Sequence, residues 1–260
     1  MLLLKIEWLK LKKYTTFWVL TGLFVSLYIL WNIGANKSIV SMGSGPVNLM
    51  SSSYSFPNVW SNMGFIYSWF VFFLSILMII SISNEFSFKT HRQNIIDGLD
   101  RLDFLHGKAY LILSISLLST LLFLLLGLLF GMLNGGGNPL PQIEKVGYVF
   151  LYTLNYLSFA ALIAFFIRRS GMSIVALFAY LLFETIFVKL INWKFDTNYG
   201  NLFPLQSSDE LLPLPIMKSF SSMVPSQTAD VPVMIYLFAS VCYIALYYMI
   251  LRKKIITTDL

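Results

Sequence analysis

The side chains able to do chemistry are few and poorly placed for it. His91 and His106 fall in one polar segment, 84–108, and could meet as metal ligands. No cysteine lies near them and neither sits at a zinc-type spacing, so two surface histidines are the simpler reading. Cys242, the one cysteine, lies in the last apolar run, which excludes a disulfide or a cysteine metal site within the chain. No Gly-x-Ser-x-Gly and no His-Glu-x-x-His occurs. Gly98 and Gly107-Lys108-Ala109 look superficially like a phosphate-cradling loop, but the spacing is wrong and Ala109 stands where a magnesium-binding Ser or Thr is needed. The expectation is no catalytic, cofactor or metal site in this chain. If ATP drives the protein, another chain binds it.

The same segment is informative for another reason. It carries Lys89, Arg92, Arg101 and Lys108 against Glu85, Asp97, Asp100 and Asp103, between two strongly apolar runs. It also keeps Ile95, Ile96, Leu99, Leu102 and Leu105 at helical spacing. A solvated loop does not need such a stripe. A short amphipathic element that docks into a partner's groove does. On that reading Ile95, Ile96, Leu99 and Leu102 fill the groove, and Arg92 and Arg101 make rim contacts.

The elements that position this segment follow from composition. The chain is 57% hydrophobic and 12% charged, with mean hydropathy +0.74. A soluble domain averages about 25% charged residues, so this is an integral membrane protein. Six runs are long enough to cross a bilayer: 14–33, 64–83, 109–133, 146–167, 171–191 and 233–251. They are continuously apolar rather than alternating, which selects helices over barrel strands. The predicted class is an all-α membrane protein with one transmembrane domain over 1–260. The net charge of +6 is spread among loops and does not point to nucleic acid.

Orientation follows from the basic residues. Lys5, Lys10, Lys12, Lys13, Lys89, Arg92, Arg101, Lys108, Arg168, Arg169, Arg252, Lys253 and Lys254 flank one side; Lys37, Lys145, Lys189, Lys194 and Lys218 lie toward the other. Such asymmetry places both termini and the 84–108 loop in the cytoplasm. Ahead of the first run, Leu2, Ile6 and Leu9 share a helical face with lysines beside it. That run is too long for a typical signal-peptide core, so residues 1–13 read as an interfacial helix.

Three further features bear on function. Glu184 sits inside the fifth run, where a carboxylate is costly and usually faces a cavity or a partner. Its expected direction is the interior of a dimer, paired to another helix or to trapped water, against the plainer reading of an interfacial residue. Gly127, Gly131 and Gly135 recur every fourth residue at the end of the third run, a pattern that lets helices approach closely within one subunit or between two. Residues 192–232 mix prolines with leucines, as would a segment lying on the membrane, capping the bundle, or forming an ordinary loop.

The pattern Glu85-x4-Thr90-x-Arg92, then Gly98, Arg101, Phe104 and Gly107-Lys108 leading into a span, resembles ABC-2 type transporter permeases. The likeness extends to the whole layout, including the short Arg168-Arg169 turn and the basic tail. Leu99-Asp100 departs from it, since many members carry Ser or Pro there. The resemblance implies an ATP-driven exporter's membrane subunit in the bacterial inner membrane. It implies a second permease subunit, identical or paralogous, and separate ATP-binding cassette ATPases that hold ATP and Mg. The 84–108 loop would be the coupling helix region, with Glu85 and Thr90 among its partner-contact residues, and the N-terminal helix would lie among membrane lipid.

Two other classes compete. An ion-driven secondary transporter usually carries several intramembrane ionisable sites or inverted repeats. Here Glu184 and Lys189 stand alone and no repeat is visible. A non-transporting scaffold would use the loop for binding only. The sequence does not name the substrate.

Overall fold

A computed structural model describes residues 2–37, 54–88, 90, 98, 100–135, 137–213 and 231–257. Among them the secondary structure is helical, with no strand. The helices are α1 (Leu2–Lys12), α2 (Thr15–Asn36), α3 (Asn58–Ser87), α4 (Arg101–Leu133), α5 (Glu144–Ile167), α6 (Ser170–Phe195), α7 (Gln206–Asp209) and α8 (Val233–Thr257). A 3-10 turn, Tyr199–Leu202, precedes α7. Six of these, α2 to α6 and α8, are long and apolar enough to cross a membrane.

The helices outrun the apolar runs where their polar ends find partners. The first turn of α3 holds Asn58, Trp60 and Ser61, and the 139–142 turn satisfies it. Trp60 Nε1 donates to the Pro139 carbonyl at 3.0 Å, and Ser61 Oγ to Gln142 Oε1 at 2.7 Å. At the other end of α4 the helix starts ahead of the apolar run 109–133: Arg101 and Leu102 are the opening residues of a single helix of 33 residues. Residues 89, 91–97 and 99 of the polar segment lie outside the described residues. Phe104 and Leu105 are buried against the bundle, which carries the helix through Gly107 into the span.

The core lies around α3 and α5, which pack on each other and are covered by the remaining helices. Trp60, Met63, Tyr67, Phe123 and Phe165 fill it. Two of its tyrosine hydroxyls find partners, as a low-dielectric interior favours. The Tyr67 hydroxyl lies 2.7 Å from Thr153 Oγ1, and the Tyr28 hydroxyl donates to the Met63 carbonyl at 3.3 Å. A tight connection joins α5 to α6. Arg168 takes a left-handed conformation (φ 59°) and its N–H closes on the Ala164 carbonyl at 2.9 Å, so α6 starts two residues later.

The glycine series divides in two. A Cβ on Gly127 would run into the Trp60 ring, and one on Gly131 into the Phe56 ring. Both glycines therefore seat aromatic side chains of the same subunit. Gly135 lies beyond α4 with φ +105° and open space around it; it serves the turn, not helix packing.

Candidate functional site

Four charged side chains from three distant stretches meet where the loop between α3 and α4 leaves the bundle. Lys108, in the second turn of α4, is 1% exposed. Its Nζ donates to Glu85 Oε1 at 2.7 Å and to Glu7 Oε2 at 2.5 Å. Glu85 comes from the last turn of α3 and Glu7 from the middle of α1. Lys10, one turn on from Glu7, closes the group from the solvent side, 3.3 Å from Glu7 and 3.2 Å from Glu85. Two carboxylates and two ammonium groups cancel, which is what permits burial. An isolated ion at this depth would face a desolvation penalty of several kcal/mol.

The placement explains α1. Its protein-facing side is Glu7 and Leu11, both buried, while Trp8 and Leu9 are exposed. The apolar face anticipated from Ile6 and Leu9 thus points partly outward, and a carboxylate takes the inward position. Beside the charges stands a ring cluster. Phe86, Phe104 and Phe165 meet edge-on with centroids 5.5–6.2 Å apart, and the Arg168 guanidinium lies 5.2 Å over Phe86. Both roots of the loop, α1 and the end of α5 are therefore held in one polar and aromatic knot.

The anticipated partner contacts divide accordingly. Glu85 is buried and turned into the knot, so it is a correction to the expected partner surface: its charge is engaged within the chain. Thr90 and Arg101 are exposed and Leu102 is half-buried. Thr90 Oγ1 reaches back to the Glu85 carbonyl at 3.4 Å. Arg92, Ile95, Ile96 and Leu99 lie outside the described residues. Sequence reasoning missed Glu7 and Lys10. The available signal was Glu7 itself, the lone acid among the lysines of an amphipathic helix.

A second polar centre occupies the opposite half of the bundle. The connection after α6 folds back between the helices. Glu184 Oε1 accepts the backbone N–H groups of Leu205 at 2.8 Å and Gln206 at 3.2 Å. Asn155 Nδ2 donates to the Pro204 carbonyl at 2.8 Å and also to Ser208 Oγ. Ser240 of α8 lies 3.2 Å from both Ser207 and Ser208. The Tyr156 hydroxyl donates to Asp209 at 2.6 Å. Burial pushes the Asp209 carboxyl up to about 7, and that donation only partly offsets it. Irregular backbone folded back between apolar helices needs such protein partners. Glu184 therefore holds its own chain's re-entrant segment, where another helix or a dimer interior had been expected.

The comparisons agree with the layout. Among curated proteins none matches the chain. The family model for the ABC-2 family transporter protein matches residues 3–184, which include α1, the loop roots, the buried charge cluster and the helices up to Glu184. The chain belongs to the ABC-2 transporter family and is an integral membrane permease component of the ABC transporter class.

Proposed function

We propose that this chain forms the translocation path of an ATP-driven exporter and takes its power stroke from a separate ATP-binding cassette subunit. That subunit docks on residues 88–102, with the Ile95, Ile96, Leu99 and Leu102 stripe in its groove. ATP and Mg bind there, since this chain offers no phosphate-binding motif. The observation that carries the reading is Lys108, buried between Glu85 and Glu7. It ties both ends of the docking loop to α1 and to a span, so a push on the loop reaches the bundle instead of dissipating in a hinge.

The basic end of the bundle faces the cytoplasm on this reading, in line with the distribution of Lys and Arg. Six helices offer half a path. A second permease subunit, identical or paralogous, supplies the other half. The export direction rests on the family resemblance.

The test is co-expression with ATP-binding cassette subunits of the same genome, followed by purification and reconstitution. A stable complex with vanadate-sensitive ATP hydrolysis that depends on the 88–102 loop is expected. If no such subunit binds, or if binding survives replacement of the whole loop by a Gly/Ser linker, the reading fails.

A further inference from the structure

Between α1, the start of α2 and the last turns of α3 lies a cleft of about 270 Å³. Its upper end is polar. Lys10, Tyr14, Asn84 and Thr90 stand there, with Glu85 beside them bonded to Lys10 and Lys108. Its lower walls are Phe17, Leu20, Leu77 and Ile80. Phe17 and Leu77 are also walls of a second cleft of about 220 Å³, which reaches Phe24 and Val25 between α2, α3 and α4. From Tyr14 to Val25 is about 16 Å along the helix. One leaflet's hydrocarbon is about 15 Å deep, half of a ~30 Å core. The two clefts together match the depth of one leaflet, polar at the surface and apolar below.

The polar end has donors to spare. Lys10 has three N–H donors, of which Glu7 and Glu85 take two. Asn84 Nδ2 donates to the Tyr14 hydroxyl, which leaves the phenolic proton for another acceptor. An acceptor-only anion suits this pair. The surroundings have the complementary charge: with Lys10 and Glu7 balanced in the buried cluster, Lys5, Lys12 and Lys13 remain unopposed by any further acid in the first thirteen residues. A basic interfacial helix of this kind attracts anionic lipid at about 1 kcal/mol per basic residue near the surface.

We infer that the α1–α2–α3 cleft is a binding site for an anionic glycerophospholipid. One acyl chain lies along Phe17, Leu20, Leu77 and Ile80, and the phosphate accepts from Lys10 and Tyr14. The bound lipid is a wedge between the interfacial helix and the last turns of α3. The site rests on the cleft and the α1 charges alone. It stands whether or not an ATPase docks on the neighbouring loop, and its test reads no nucleotide chemistry.

The experiment is native mass spectrometry of the full chain in detergent, offered phosphatidylglycerol and phosphatidylcholine in equal amounts. The wild type should retain phosphatidylglycerol over phosphatidylcholine by about tenfold, the weight of one to two surface lysines. Leu20→Trp with Ile80→Trp fills the cleft and should abolish retention. Leu23→Trp, at a position 40% exposed that does not line the cleft, should keep it. Lys10→Gln with Tyr14→Phe, which removes the two phosphate donors and leaves the apolar walls intact, should remove the preference and leave retention. Equal retention by the filled and Leu23→Trp variants, or no preference in the wild type, overturns the site. Should the filled variant fail to fold, an unchanged preference in the Lys10→Gln, Tyr14→Phe variant overturns it instead.

Discussion

Lys108 Nζ meets Glu85 Oε1 at 2.7 Å although 23 residues separate them in sequence. The pair closes the base of the loop between α3 and α4, and Glu7 of α1 shares the same ammonium group. Removing one partner of a buried ion pair leaves the other charge uncompensated and costs about 3–5 kcal/mol. Lys108→Met should therefore lower the melting temperature of the purified protein sharply. Lys10→Met, whose side chain is 32% exposed, should do so only slightly. Equal effects of the two substitutions would contradict a buried keystone.

Docking is tested on the loop itself. Ile95→Ser with Ile96→Ser should weaken recovery of the ATPase by tenfold or more, since a buried interface anchor commonly contributes over about 1 kcal/mol. The melting temperature of the permease alone should stay unchanged. Arg101→Gln, at an exposed position, should alter the salt dependence of binding more than its strength. Undiminished co-purification of the double variant would remove this loop from the interface.

Glu184 tests the re-entrant segment. Glu184→Gln keeps an acceptor for the Leu205 and Gln206 N–H groups, whereas Glu184→Leu strands both. Each buried unsatisfied donor costs about 1–3 kcal/mol. Glu184→Leu should destabilise the protein well beyond Glu184→Gln and expose residues 203–213 to protease. If the two variants behave alike, the carboxylate is not holding this segment.

The glycines give a test with opposite signs. Gly127→Ala and Gly131→Ala push a methyl group into the Trp60 and Phe56 rings and should destabilise by about 1–3 kcal/mol each. Gly22→Ala, in open space within α2, should be neutral or stabilise by about 0.5–1 kcal/mol. Thermal melts of the three variants suffice. A stabilised Gly127→Ala would show that the ring is not seated there.

Asp209 carries a pH prediction. Its carboxyl is pushed up to about 7 in the folded chain from an ordinary 3.8, because burial and the nearby Glu184 and Glu210 carboxylates disfavour its charge more than hydrogen bonds from Tyr156 and Tyr152 favour it. The folded protein thus keeps a proton that the unfolded chain has released above about pH 4. Its contribution to stability is fully present below pH 4, falls as pH rises, and is lost above about 7. Asp209→Asn should flatten that slope. A slope unchanged by the substitution would assign it to another group.

The spans were legible because six continuous apolar runs leave little choice of structure. The helix ends were not. Trp60 and Ser61 extend α3 only because Pro139 and Gln142 are there to receive them, and a local window does not contain those partners. Glu85 stood out by residue type, but its direction is set by Lys108 and Glu7, one of them 78 residues away. The re-entrant segment was the least readable. Asn155 and Ser240 are small polar residues inside apolar runs, unremarkable singly, and they gain meaning only when Pro204 and Ser207 come down to meet them. The glycine spacing suggested one role for three residues, while the ring positions and the backbone of Gly135 give two.

The unbroken course of α4 has a mechanical consequence. At 1.5 Å per residue its 33 residues make a rod of about 50 Å. Near one end Trp60 and Phe56 lie in the hollows of Gly127 and Gly131; near the other stands Arg101, at the mouth of the loop. About 40 Å of helix separates that pivot from the handle. A rotation of about 5° around the seated rings would carry Arg101 by about 3.5 Å, more than the length of one hydrogen bond. The helix is a lever whose long arm begins at the loop.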